Sequence, residues 1–280
     1  MQRGTPIVNR RRTIRNLTIF TCVVWSIGWI AAAVQARVTD EEAQQLGLLI
    51  WLVTPLATVL LLRAFAGDGW KDFGLAPALR GHAFGYAVAL LCNPVGAMVV
   101  LLVGYVIGCV AFPDFSATRL AAVFAAGLAP LLVKNLFEEF AWRGYLTPKV
   151  HSLELNDYVG HGVVGLIWAG WHVPYFLYLV DPVVLHASTG LSLPLFIAMA
   201  IPSLVALSIV YGELRLLTGS VWPPVIAHAV GNALIDVLIL RGFVRVEPDM
   251  EFWMSPGYPG VFTIVIFAIM GVGLHRRRTQ

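Results

Sequence analysis

Along this chain, polar residues retreat into short intervals between long apolar runs. Runs of spanning length, about 20 residues each, fall near 16–36, 46–65, 83–112, 119–146, 158–180, 192–212, 220–240 and 258–275. The pattern predicts about eight transmembrane helices. The third and fourth runs are long enough to tilt, kink or extend beyond a bilayer, with Pro94 and Pro130 as the candidate kink points. No repeat, low-complexity tract or soluble domain interrupts the series. The expected architecture is an all-α, polytopic membrane bundle. It has a basic tail over 1–15, one transmembrane domain over 16–275 and a second basic tail over 276–280.

Composition turns long apolar helices into membrane helices. Of 280 residues, 58% are hydrophobic and 12% charged, with a mean hydropathy of +0.78. A soluble domain of this length carries roughly twice that charged fraction. The net charge of +3 matters less than its placement. Arg3, Arg10, Arg11, Arg12 and Arg15 open the chain, and Arg276, Arg277 and Arg278 nearly close it. Short basic runs beside membrane helices mark a cytoplasmic face, so no nucleic-acid partner is expected. With the N-terminus inside, fourteen Lys and Arg fall on the cytoplasmic side. Four, Arg37, Arg119, Arg241 and Arg245, fall outside, and Lys134 lies within a span. This bias places both termini in the cytoplasm of a cell-membrane protein, which requires an even number of spans. Asp40, Glu41 and Glu42 make the first external loop acidic. Cys22, Cys92 and Cys109 sit in apolar stretches without metal-like spacing, so no disulfide framework or zinc knuckle is implied. The first run follows a basic flank, as a signal peptide would, but it is too long and lacks a small-residue cleavage site. It reads as a retained helix.

Against this background Glu138-Glu139-Phe-Ala-Trp-Arg143 stands out, because an intramembrane charge costs a few kcal/mol and marks a functional suspect. Adjacent residues on a helix differ by about 100°, so the two carboxylates face different ways. Glu139 and Arg143 are an i,i+4 pair suited to a charge-assisted bond, which leaves Glu138 aimed elsewhere. His172 lies in the fifth run, within Trp168-Ala-Gly-Trp171-His172-Val-Pro174. His228 and Asn232 share one helical face in the seventh. At 1.5 Å per residue, His228 lies roughly 12 Å and His172 roughly 15–20 Å into their spans, depths that overlap the level of Glu138. Each residue also has a structural explanation. A lone His or Asn is often interhelical glue, and a Glu–Arg pair is often a clamp. Depth agreement across three spans favours a site. Lys134 is four residues before Glu138 and could pair with it. His82, His151, His161, His186 and His275 fall at span ends or in loops and read as interfacial.

These residues, in this order, resemble the CPBP (Abi) family of intramembrane proteases, which includes the Rce1-like CAAX prenyl endopeptidases. The family pattern is Glu-Glu-x-x-x-Arg, an aromatic-x-x-x-His, then His-x-x-x-Asn or a small or aliphatic residue in place of the Asn. It is met by Glu138, Glu139 and Arg143, by Trp168 and His172, and by His228 and Asn232. The resemblance covers about residues 125–240, and Trp168 stands where Phe is commoner. It implies hydrolysis of a peptide bond in a membrane-associated protein or peptide. Glu138 and His172 would activate a water, His228 and Asn232 would stabilise the oxyanion, and Glu139 with Arg143 would hold the helix end. The family is often labelled metalloprotease, and Glu138, His172 and His228 could form a three-ligand zinc site. The absence of His-Glu-x-x-His and the poor zinc affinity of Asn favour a metal-independent mechanism, with no cofactor required. Gly-x-Ser-x-Gly and Gly-x-Gly-Asp are also missing. Membrane lipid and a membrane-bound substrate are the expected partners. Prenylated tails are the eukaryotic case, and bacterial relatives are linked to bacteriocin maturation or self-immunity. Two other readings stay open: a non-catalytic scaffold or immunity protein, and a proton-coupled transporter. No inverted repeat supports the latter.

Overall fold

A computed structural model describes residues 9–38, 45–113, 115–257 and 259–280. Arg3 and the acidic trio at 40–42, used in the charge argument, lie outside the described residues. The first helix, α1 (Arg10–Gln35), begins where the Asn9 side-chain oxygen accepts the Arg12 N–H at 3.1 Å. Arg10 to Arg15 are therefore helical rather than part of a tail. Next come α2 (Leu46–Phe65), α3 (Ala83–Val106), α4 (Ala117–Ala141) and the short α5 (Thr147–His151). They are followed by α6 (Asp157–Pro174), the short α7 (Pro182–Ser188), α8 (Leu193–Thr218) and α9 (Trp222–Ile235). The chain ends with α10 (Glu251–Met254) and α11 (Val261–Thr279). The only strand pairing among the described residues is one antiparallel bridge. It pairs β1 (Val110–Ala111) with β2 (Arg245–Val246), Val110 opposite Val246.

Seven helices among the described residues are long and apolar enough to cross a bilayer. With the exposed apolar side chains on their outer faces, such as Phe65, Val106 and Leu61, they make this an integral membrane protein. The eighth expected run is helical as α11, but His275 and Arg276 to Arg278 occupy its last turns. Its apolar stretch, Val261 to Leu274, is about 21 Å long at 1.5 Å per residue, short of a roughly 30 Å hydrocarbon core. Pro94 and Pro130 do lie inside α3 and α4.

In the bundle, α6 packs between α1 and α8, α8 against α11, and α9 against α3 and α4. Gly165 lets α6 and α8 approach closely. A Cβ there would stand 2.7 Å from the Val205 Cα of α8, so only glycine lets these backbones meet. The core between helices is aromatic: Trp51 stacks on Trp171 with ring centroids 3.7 Å apart and planes 8° from parallel. Its indole N–H donates to the Trp171 carbonyl at 3.0 Å. Three helices, α4, α6 and α9, each end in a single widened π turn, at Trp142–Leu146, Tyr175–Leu179 and Asp236–Leu240. These are the three helices that carry the polar motifs.

Candidate active site

The last turn of α4 presents Glu138 and Glu139, both fully buried, in different directions. Glu139 Oε1 accepts from Arg143 at 2.9 Å, the expected i,i+4 pair. The same oxygen also takes the Nδ1 of His228 on α9 at 2.8 Å. Glu139 is thus more than a clamp: it orients a histidine from another helix. The Arg143 guanidinium lies over the faces of Trp168 (4.3 Å) and Tyr211 (5.1 Å). That cation–π cradle holds the charge in a dry interior.

Glu138 avoids Arg143, as the helical geometry requires, but it is not unpartnered. Lys134, one turn earlier, bonds Oε1, and the Trp168 indole N–H donates to Oε2 at 3.2 Å. A carboxylate has about four lone-pair sites, so each oxygen can still accept one further donor. On α6, His172 Nδ1 faces the Trp168 carbonyl at 3.0 Å. A carbonyl only accepts, so Nδ1 carries the proton and Nε2 presents a lone pair. His228, with Nδ1–H on Glu139, likewise has Nε2 available.

Trp168 links the motifs. Its ring meets the His172 ring edge-on at 5.8 Å and the His228 ring at 5.4 Å, while its N–H holds Glu138. His172 is further enclosed by Trp171 at 4.8 Å and by Phe176, nearly parallel at 5.6 Å. The structure therefore gathers Glu138, His172 and His228 around one indole. Asn232 is one step removed: its amide N–H donates to the Asn135 side-chain oxygen at 3.2 Å.

Zinc fits this arrangement poorly. A tetrahedral ion needs its ligand atoms about 2.0–2.2 Å away, and so close to one another. Among the described residues, only Asp157, Glu213 and His275 bring three ligand atoms within 4.8 Å. Glu138, His172 and His228 do not, and the Lys134 ammonium lies against the carboxylate a metal would claim. At the Asp157 cluster a cation is already supplied by the chain, because Arg278 donates to Glu213 at 2.6 Å and to Asp157 at 2.5 Å.

Several residues escaped sequence reasoning. Asn135 is buried three residues before Glu138 on the same face, and its amide nitrogen has no partner among the described residues. Its position beside Lys134 in a span was the available signal. Glu213, the lone acid of its span, accepts from His161 (2.9 Å), His275 (3.0 Å) and Arg278. His161 is therefore buried and paired, not interfacial. Arg63 and Arg215, which only counted toward topology, donate to the carbonyls of Gly144 (2.7 Å) and Arg143 (3.0 Å). Those carbonyls belong to the π turn after Glu139.

Residues 116–234 match the family profile described as Type II CAAX prenyl endopeptidase Rce1-like. The motif-bearing core is similar to that family. The match runs from the N-cap of α4 to the last turn of α9 and encloses Glu138, His172, His228 and Asn232. It points to a membrane-embedded endopeptidase of the CAAX type. Comparison with curated proteins returns no match to the chain.

Proposed function

We propose that the protein is an intramembrane endopeptidase that hydrolyses a peptide bond of a membrane-associated protein or peptide. The convergence of Glu138, His172 and His228 on Trp168 carries this reading. In it, Glu138 and the Nε2 lone pair of His172 hold a water between them and take its proton as it attacks the carbonyl. The tetrahedral oxyanion then needs fixed donors in a site of low dielectric. His228 serves in its protonated form, since its Nδ1–H is committed to Glu139 and only the imidazolium also offers an Nε2–H. Glu139 stabilises that cation, as a carboxylate steadies a histidine in other hydrolases. Asn232 has a second amide hydrogen beside the one held by Asn135 and is the other donor. The chemistry is metal-free in this reading. We further place both termini in the cytoplasm of the cell membrane, with α11 as an eighth, thinned crossing.

The test is cleavage of membrane-tethered reporter peptides in liposomes, some ending in a prenylated cysteine tail. Glu138→Ala and His172→Ala should each lose on the order of 10²-fold or more in rate, and a chelator should leave wild-type activity intact. Wild-type rates in both variants would sink the proposal. Loss on chelation with recovery on adding zinc would replace the metal-free mechanism.

A further inference from the structure

Beside the oxyanion donors lies a cavity of about 70 Å³, bordered by His228 and Asn232 of α9 but by neither Glu138 nor His172. Its walls are Leu207 of α8, Ile235 at the end of α9, and Ile264 and Phe267 of α11. Two of the polar residues that reach it, Asn93 and Thr263, have their donors engaged elsewhere. Asn93 donates to the Ala227 carbonyl at 2.7 Å, and Thr263 to the Ser255 carbonyl at 2.6 Å. The exposed lining is mostly apolar, which suits an apolar guest.

Resting on the endopeptidase reading, we propose that this cavity seats one aliphatic side chain of the substrate, that of the residue whose carbonyl is attacked. The position follows from the donors. An oxyanion held by His228 and Asn232 brings the adjoining Cα, and so its side chain, against the same wall. The size follows from volume. An apolar cavity of about 150 Å³ accepts benzene, so one about half as large suits the branch of a valine or leucine and excludes an aromatic ring. A prenyl chain, several times longer than a leucine side chain, does not fit it.

Ser203 provides the handle for a test. It lies in the cavity wall on α8, and its buried hydroxyl has no hydrogen-bond partner among the described residues. Replacing it with valine therefore breaks no hydrogen bond while adding bulk. The probe is a set of membrane-tethered peptides in liposomes that differ only at the residue before the cut: Ala, Val, Leu, Phe, Lys or S-prenyl cysteine. Wild type should favour Val and Leu. Ser203→Val should shift preference toward Ala by roughly tenfold or more, the usual effect of one methylene in an apolar pocket. Ile235→Ala should admit Phe. In parallel, a peptide with photo-leucine at that position is irradiated with the Glu138→Gln protein, and the crosslinks should map to α8 and α11. Unchanged ranking in both variants, with crosslinks elsewhere, overturns the pocket while cleavage itself upholds the endopeptidase. Crosslinks in the cavity without any cleavage by wild type keep the pocket as a binding site and overturn the endopeptidase. Neither crosslinks nor cleavage overturns both.

Discussion

Trp168 places a single donor on the proposed base. In a low-dielectric interior, a hydrogen bond to a carboxylate contributes about 1.5–3 kcal/mol, and at 3.2 Å this one falls at the lower end. Phenylalanine, commoner at this place in the family, keeps the ring between His172 and His228 but loses the N–H. Trp168→Phe is therefore expected to fold normally while its cleavage rate falls about tenfold, since 1.4 kcal/mol is a factor of ten. Stopped-time cleavage assays beside thermal melts check this, and an unchanged rate would show that the indole N–H is idle. The i,i+4 bond between Glu139 and Arg143 was readable from spacing alone, as was the divergence of Glu138 from it. The His228–Glu139 bond was not, because it joins residues 89 apart on helices whose rotation no local pattern sets. The pairing of Lys134 with Glu138 was also open to spacing, whereas the Trp168 donor was not. Lys134 and Trp168 both hold the carboxylate, and only coordinates say which face of α6 meets α4.

At the scale of elements, hydropathy located the helices well because lipid forces every backbone group to be paired within its own segment. The second run, 46–65, matches α2 residue for residue. Helix ends and partners were harder. Arg10 to Arg15 and Arg276 to Arg278 read as tails, yet both sets continue helices, because charged residues at a membrane interface need not break a helix. The last turn of α11 is a fastening as well as a basic flank. Arg278 reaches Glu213 of α8 and Asp157 of α6, and His275 reaches Glu213 too. Arg278→Ala leaves a fully buried carboxylate with only histidine partners and should cost about 1.5–3 kcal/mol, the worth of a hydrogen bond to a charged group. Chemical unfolding in micelles would measure this. An unfolding midpoint equal to wild type would show that the two histidines suffice.

Across the whole molecule, the segment after α2 binds the bundle to the turn that follows Glu139. Asp72 lies in it and bonds Arg63 at 2.7 Å and Lys149 at 3.0 Å. Burial pushes the Asp72 carboxyl up, but the hydrogen bonds and charges of Arg63 and then Lys149 outweigh it and hold the group below the ordinary carboxylate range. A folded-state value below the unfolded one means stability that is present above about pH 4 and lost as pH falls through the folded value. The side chain is 36% exposed, so screening limits the effect to about 1 kcal/mol or less. Melting wild type and Asp72→Asn side by side should show a gap at neutral pH that closes in acid. A gap that persists at low pH would assign the stabilisation to something other than this charge. None of this was visible in the sequence, where Arg63, Lys149 and Arg215 served only to orient the spans.

The three π turns carry a consequence for editing the chain. Each holds one residue more than an α turn would, and each follows a helix that bears part of the proposed site. Deleting one residue from Trp142–Leu146 would let the backbone relax into ordinary α-helix, so the span would survive. Because the widened turn spends its extra residue on one turn, the helix beyond the deletion would keep its facing toward Glu138 and Glu139. What would change is the set of carbonyls that the turn now offers to Arg63 and Arg215, which regular i→i+4 bonding would draw back into the helix. Such a protein should still insert and run as a monodisperse species on size-exclusion chromatography, yet melt earlier and cleave more slowly than wild type. A one-residue gap here is thus a loss of acceptors rather than of facing, and full activity and stability in the deletion variant would show that the widened turn is incidental.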